Sequence, residues 1–351
     1  MLYAPCSMLY ALCSMLYALC GIRPGRVGKS MKRQNKLRIL VTGGGGFIGS
    51  HLTEALLRRG YLVRVLDNFS TGKRGNLAFG KKYASFEVVH GDISNRAACR
   101  KAMKGIQYVF HQAALPSVQR SVEDPGLTNM VNAVGTLNIL TAAKDAGVRR
   151  VIYAASSSAY GDTPTLPKKE SMPPNPLSPY ALQKYMGEEY CRLFSQLYGL
   201  ETVSLRYFNI FGPRQDPASL YSAVIPKFID AFVHGRRPTI YGDGKQSRDF
   251  TYIDNVVRAN LLALSAKHLH GEVVNVACGS RISLNQLVKM LKQIFGSKIS
   301  PMYSKPREGD VKHSLADISR ARKVLSYKPL VDFEAGLRRT VDYFLKPSSS
   351  R

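Results

Sequence analysis

The 351-residue chain predicts an α/β fold, a doubly wound parallel sheet with a smaller C-terminal α/β lobe. Three observations carry that expectation. Uninterrupted apolar strands alternate with helical stretches from Leu37 to about Tyr207. A glycine-rich turn joins the first strand to the first helix. After about Phe211 the rhythm loosens into Pro- and Gly-rich loops with short strands and helices.

Taken in order, the strand Leu37–Thr42 enters the glycine turn, and a helix over Phe47–Arg59 closes at Gly60. A second strand, Tyr61–Leu66, ends at Asp67. Further strands are predicted at Phe86–Val89, Tyr108–His111, Val151–Ala155 and Thr202–Tyr207. Long helices are predicted over Gly126–Ala146, stopped by Gly147, and over Pro179–Tyr198, stopped by Gly199. In the second of these, Leu182, Met186, Leu193 and Leu197 give an apolar stripe. Apolar strands of this kind are covered by helices on both faces. Beyond Phe211 the readable pieces are a Gly242-Asp243-Gly244 turn, a helix beginning near Asp254 and another capped at Ser283. No low-complexity linker divides the chain. The expected organisation is a non-globular leader over 1–36, a sheet-bearing half over 37–210 and a lobe over 211–351, with elements interleaved.

Composition narrows the class. Hydrophobic content of 45% and charged content of 21% are those of an ordinary globular protein. The net charge of +26 is high, yet no basic helix or aromatic-interleaved stripe marks a nucleic-acid surface. It reads as a basic bias suited to anionic small molecules, with no nucleic-acid partner expected. Cys99, Cys191 and Cys278 are far apart and lack metal-ligand spacing, as buried thiols of a cytoplasmic protein would be. Cys6, Cys13 and Cys20 belong to three tandem copies of a seven-residue unit, MLYAPCS, MLYALCS and MLYALCG. That run is apolar and uncharged, as a signal or anchor would be, but a basic segment does not precede it. It reads as a duplicated coding segment, with Met31 standing where the folded protein could begin and no stable membrane association expected.

The chemistry concentrates in two places. In Thr42-Gly-Gly-Gly-Gly-Phe-Ile-Gly49 the glycines Gly43, Gly46 and Gly49 let backbone approach a pyrophosphate, whose charge the helix N-terminus holds. Asp67 lies near the ~20-residue offset of the acid that binds an adenosine ribose, which favours NAD over a 2′-phosphorylated dinucleotide. Lys73 and Arg74 follow shortly and leave room for NADP. The second place is Tyr180-Ala-Leu-Gln-Lys184, introduced by the N-cap Ser178 and Pro179. Residues four apart share one helix face, and an ammonium beside a phenol lowers the phenol pKa. Tyr180 is thereby expected to act as a base near neutral pH.

With Asp67-Asn68, Gly91-Asp92-Ile93, His111-Gln-Ala-Ala114 and the serines Ser156–Ser158, these segments resemble the extended short-chain dehydrogenase/reductase superfamily across roughly 37–345. Leu205-Arg-Tyr-Phe-Asn209, Gly242-Asp-Gly, Ser247-Arg-Asp-Phe250 and Arg307-Glu-Gly-Asp310 are similar to its UDP-sugar 4-epimerases, especially those acting on N-acetylated sugars. The resemblance implies a Rossmann-type half holding NAD through Gly43, Gly46, Phe47, Ile48, Asp67, Asn68, Thr71, Gly72, Asp92, Ile93, Gln112, Ala113, Ala114, Asn132, Tyr180, Lys184 and Tyr207. It implies catalysis by Tyr180, Lys184 and Ser156, with Ser157 the second candidate hydroxyl. The carboxylates that dehydratases carry after the catalytic hydroxyl are replaced by Ser157 and Ser158, and the glutamate of the decarboxylating branch is missing. Oxidation at C4 to a 4-keto sugar and hydride return to the opposite face is the chemistry that remains. Arg248 and Arg307 are expected to clamp the diphosphate, an arginine's bidentate task. Asn209, Tyr241, Asp310 and Ser117 are expected around the nucleotide sugar. Ser314, small where a large Tyr would exclude an N-acetyl group, favours UDP-GlcNAc and UDP-GalNAc. UDP-glucose or UDP-glucuronate epimerisation, or a catalytically silent dinucleotide-binding regulator, are the alternatives. The resemblance also implies a homodimer through the two long helices.

Overall fold

A computed structural model of the chain describes residues 37–217, 223–306 and 312–346, so the expected leader over 1–36 lies outside the described residues. Seven strands form the main sheet: β1 (Arg38–Thr42), β2 (Leu62–Asp67), β3 (Phe86–His90), β4 (Tyr108–His111), β5 (Arg150–Ser156), β6 (Glu201–Tyr207) and β7 (Glu272–Val276). Their spatial order is β7-β6-β5-β4-β1-β2-β3, and every neighbouring pair is parallel. Ile39 thus pairs with Val63 on one side and Tyr108 on the other. The order reverses between β1 and β4, which opens a crevice at their carboxyl ends.

The apolar strands are explained by where alternate residues go. Ile39 and Val41, Tyr108 and Phe110, and Ile152 and Ala154 pack into one core, while Leu40, Val109, Val151 and Tyr153 pack into another on the opposite face. Both faces are dry, so neither set is polar. The first core continues without a break into the C-terminal lobe, through Phe211, Phe250, Tyr252 and Phe333. The Phe211 and Phe333 rings lie 5.4 Å apart, as do those of Phe250 and Phe333. In that lobe the sheets shrink to pairs: Ile210–Phe211 with Thr251–Tyr252, Ser247–Arg248 with Ile282–Ser283, and Thr239–Tyr241 with Met302–Ser304.

Four helices position the site: α1 (Phe47–Arg58), α2 (Gly135–Asp145), α3 (Pro179–Tyr198) and α4 (Ile253–Ser265). The single helix expected over Gly126–Ala146 is instead built in three pieces. A short helix Pro125–Asn129 runs into a π-helical turn at Met130–Val134, and only then does α2 begin. The inserted residue turns Asn132 inward, where it accepts the Leu115 N–H at 2.8 Å and donates to Gln183 Oε1 at 2.9 Å. By contrast α3 starts as expected, with Ser178 Oγ accepting the Ala181 N–H and Pro179 in the first turn, and it closes at Gly199 in the left-handed region. It lies tight on β5, since a Cβ at Gly187 would fall 2.2 Å from Tyr153 Oη. Among the described residues no helix is long and apolar enough to cross a membrane.

Candidate active site

The glycine turn is shaped by contacts that exclude side chains. Gly43 has φ +69°, and a Cβ there would sit 2.7 Å from the Ala113 backbone. A Cβ at Gly49 would meet Gly43 O at 2.1 Å. Gly46 is the N-cap of α1 and has no side chain to cap the helix, so the first-turn amides remain at the turn's open side. Asp67, buried at the end of β2, accepts the Gly45 N–H at 2.8 Å and the Phe69 N–H at 2.7 Å. Its carboxylate is thereby fixed against the same turn.

A cavity of about 730 Å³ opens over this turn and the carboxyl ends of the central strands. Of the residues expected to hold a cofactor, Gly43, Gly46, Phe47, Ile48, Asp67, Asn68, Thr71, Gly72, Asp92, Ile93, Gln112, Ala113, Ala114, Tyr180 and Tyr207 all line it. Asn132 and Lys184 are buried and do not line the cavity. Asn68 donates to Asp92 at 2.6 Å. Burial pushes the Asp92 carboxyl up, but hydrogen bonds from Ser94 and Asn68 outweigh it and hold the group below its ordinary value. Gln112 reaches Tyr207 Oη at 3.2 Å, and Asn260 of α4 donates to the same oxygen at 2.8 Å. Burial pushes the Tyr207 phenol up to about 12, so it stays protonated.

Ser156, Ser117 and Tyr180 lie on the same cavity, and Ser156 hydrogen-bonds Tyr180. Ser156 Oγ accepts from the Ser158 hydroxyl at 2.8 Å and the Ser158 N–H at 3.2 Å, which leaves its own proton for the phenol. Neither Ser157 nor Ser158 lines the cavity, but Ser158 holds Ser156 from behind, a supporting contact that the sequence does not single out. Ser121 Oγ, accepting the Tyr180 N–H at 3.0 Å, fixes the start of α3. Lys184 sits with its Nζ 4.4 Å from the centre of the Tyr153 ring. Burial lowers the Lys184 ammonium to about 8.

Burial raises the Tyr180 phenol above its ordinary value, and the hydrogen bond from Ser156 pulls it back only in part. Lys184 alone does not make a phenolate, because the desolvation that encloses the pair penalises both charges.

Toward the C-terminal lobe, a second cavity of about 290 Å³ shares Asn209, Ile210 and Ala223 with the first and is lined also by Gln246, Arg248, Phe250 and Leu284. Arg248 Nη1 donates to the Ser247 and Lys312 carbonyls, each at 3.1 Å. Asn209 has φ +36°, and its Nδ2 donates to Asp249 O at 3.1 Å and Ser314 Oγ at 3.0 Å. The Asp249 N–H also reaches Ser314 Oγ, at 3.3 Å. Ser314 and Tyr241 line neither cavity. Arg307 and Asp310 lie outside the described residues. Arg120, Arg214 and Asp216 line the larger cavity without having been singled out, together with Lys73, which was noted only as leaving room for NADP. Of these, Lys73 and Asp216 form an ion pair of 2.7 Å that only the folded chain brings together.

Residues 39–277 match the profile of the NAD dependent epimerase/dehydratase family. A putative UDP-glucose 4-epimerase from Methanocaldococcus jannaschii is 41% identical over 87% of this chain and 97% of its own length. A UDP-glucuronate 4-epimerase from Thermodesulfobacterium geofontis is 37% identical over 87% of this chain and 95% of its own. Among solved structures, a UDP-N-acetylglucosamine 4-epimerase from Methanobrevibacter ruminantium, in complex with UDP-N-acetylmuramic acid, superposes with a TM-score of 0.85. It is 43% identical, covering 88% of this chain and 98% of that one.

Proposed function

Because this chain belongs to the NAD dependent epimerase/dehydratase family and is an NAD-dependent UDP-sugar 4-epimerase, an isomerase, we propose that it interconverts UDP-N-acetylglucosamine and UDP-N-acetylgalactosamine. UDP-glucose and UDP-galactose are its secondary substrates in this reading. The observation that carries the choice of sugar is Ser314. The side chain is small, and its oxygen is turned to Asn209 and the Asp249 amide rather than toward either cavity.

The residues present fit NAD. Gly43 and Gly49 permit a turn that side chains would block, Gly46 leaves the α1 amides uncapped, and Asp67 is fixed where a ribose would reach it. Bound there, oxidised NAD supplies a hydride acceptor for the sugar C4 and a positive charge beside Tyr180. Tyr180 takes the proton of the 4-hydroxyl and later returns it. Ser156 hydrogen-bonds the 4-oxygen, its own proton oriented by Ser158, and Lys184, one helical turn along α3 and set against the Tyr153 ring, supplies a buried positive charge. Asn132, tied to Leu115 and Gln183, supports the same wall.

Arg248 and Arg307 are assigned to the diphosphate, and Asn209, Tyr241, Asp310 and Ser117 to the rest of the nucleotide sugar. Residues 37–210 carry the cofactor residues and 211–351 most of the substrate lobe, with Ser117, Ser156, Tyr180 and Asn209 reaching the sugar from the first half. We assign a cytoplasmic homodimer. Leu127, Met130, Leu182, Leu197 and Tyr198, all exposed on the two long helical segments, supply an apolar face for that contact. Incubation with UDP-GlcNAc, followed by NMR, tests the reading. UDP-GalNAc is the expected product, whereas turnover of UDP-glucose or UDP-glucuronate alone would overturn the N-acetyl assignment.

A further inference from the structure

The stack that begins at Tyr180 and Lys184 continues one turn further along α3 to Glu188. That carboxylate is 1% exposed, and Arg206 Nε reaches its two oxygens at 2.9 and 3.1 Å while Nη2 reaches one of them at 2.7 Å. Arg206 stands on β6, is 3% exposed and lies 4.6 Å from the centre of the Tyr160 ring. Its Nη1 has no hydrogen-bond partner among the described residues. Stability is a weak reason for such a pair, since apolar residues of like volume are often as stable. Its place on the helix points elsewhere.

Lys184 is buried among few groups that carry charge. On α3 these are Tyr180, Cys191 and Glu188, on β5 Tyr153, and on β4 His111. His111 is held between Thr42 and Thr136 hydroxyls, and burial lowers it to about 3, so it is neutral. Burial pushes the Cys191 thiol up to about 12 and raises Tyr153, so both are neutral as well. Burial raises Glu188 too, but the Arg206 guanidinium held on both its oxygens works against that, so Glu188 is the anion of the set. We infer that Glu188, clamped by Arg206, is a positioning residue that keeps Lys184 charged in its buried site, so that Lys184 can favour ionisation of Tyr180. Burial works against the ammonium and Glu188 works for it. The inference rests on the 4-epimerase reading for its consequence, though not for its test.

Two variants serve: Glu188→Gln, and the double change Glu188→Met with Arg206→Met, which substitutes apolar bulk for the pair. The titration of Lys184 is followed by NMR on ¹⁵N-lysine-labelled NAD-bound protein, and kcat is measured against pH with the UDP-sugar turned over. In both variants the Lys184 midpoint and the alkaline limb of kcat are expected to fall by about one pH unit or more, so the deficit grows about tenfold per unit above the new limb. Glu188→Asp restores part of the shift. A midpoint that stays at the wild-type value in any folded variant overturns the inference, as does failure of every variant to fold, which would assign the pair to stability. Wild-type protein inactive on all UDP-sugars would instead overturn the epimerase reading and leave the titration to decide this one.

Discussion

The two cavities meet at Asn209 and Ile210, yet they are built by different means. The larger is formed by strand ends and backbone: Gly43, Asp67 and Ser156 are where they are because β1, β2 and β5 end there. The smaller is held by side chains that stitch loops together, chiefly the Asn209–Ser314–Asp249 set and Asp249's own bonds to the Cys278, Gly279 and Ala316 amides. A site built on a sheet tolerates little change, because a shift there disturbs a whole register. A site stitched by loop side chains can be re-cut one residue at a time. The three relatives described above carry names that share a 4-epimerase activity and differ in the sugar, which is the pattern this construction produces.

If the division is right, the largest effect comes from the sheet-built side. Tyr180→Phe removes the base without disturbing the turn, so kcat is expected to fall by about 10²–10⁴ while NAD, read by absorbance after unfolding, stays bound. Retained activity would sink the base assignment. Gly43→Ala attacks the turn itself, forcing a Cβ to within 2.7 Å of the Ala113 backbone at φ +69°. A loss of about 2 kcal/mol or more is expected, with NAD no longer retained. On the stitched side the effect is smaller and selective. Ser314→Tyr is expected to cut UDP-GlcNAc turnover about 10–200-fold and leave UDP-glucose turnover within a few-fold. Equal loss on both sugars would mean that Ser314 acts through Asn209 and does not select.

The same division governs what the sequence discloses. The glycine turn, Asp67 and the Tyr180–Lys184 spacing are local patterns, and the fold keeps them local. Apolar runs on β1, β4 and β5 report burial on both faces, so the parallel sheet is readable from them. The π-turn at Met130–Val134 is not, because a one-residue insertion leaves the apolar content of Gly126–Ala146 almost unchanged and its cause, the Asn132 bonds to Leu115 and Gln183, is tertiary. Ser158 was hidden by standing beside two other serines. Glu188 and Arg206, on a helix and a strand, form their pair only when α3 packs on the sheet. The raised Tyr180 pKa also depends on enclosure, which spacing does not report.

Asp249 sharpens the comparison at its finest scale. The carboxylate is fully buried, and burial pushes it up to about 6 although backbone amides of Cys278, Ala316, Gly279 and Ser280 pull the other way. Its value in the unfolded chain is about 3.9, so the folded state binds the extra proton between these two values. The contribution is therefore fully present below about pH 4 and lost as pH rises through 6. Relative to Asp249→Asn, in which the group cannot titrate, the wild type is expected to gain about 1 kcal/mol as pH falls from 7 to 5. Depressed carboxylates such as Asp92 shift both proteins alike and cancel in the difference. Denaturant unfolding of both proteins at the two pH values measures it. A wild-type gain confirms that the stitching carboxylate is strained by burial at neutral pH. A difference that shrinks on acidification would mean that the amides win over burial and that the C-terminal lobe is as firmly fixed as the sheet.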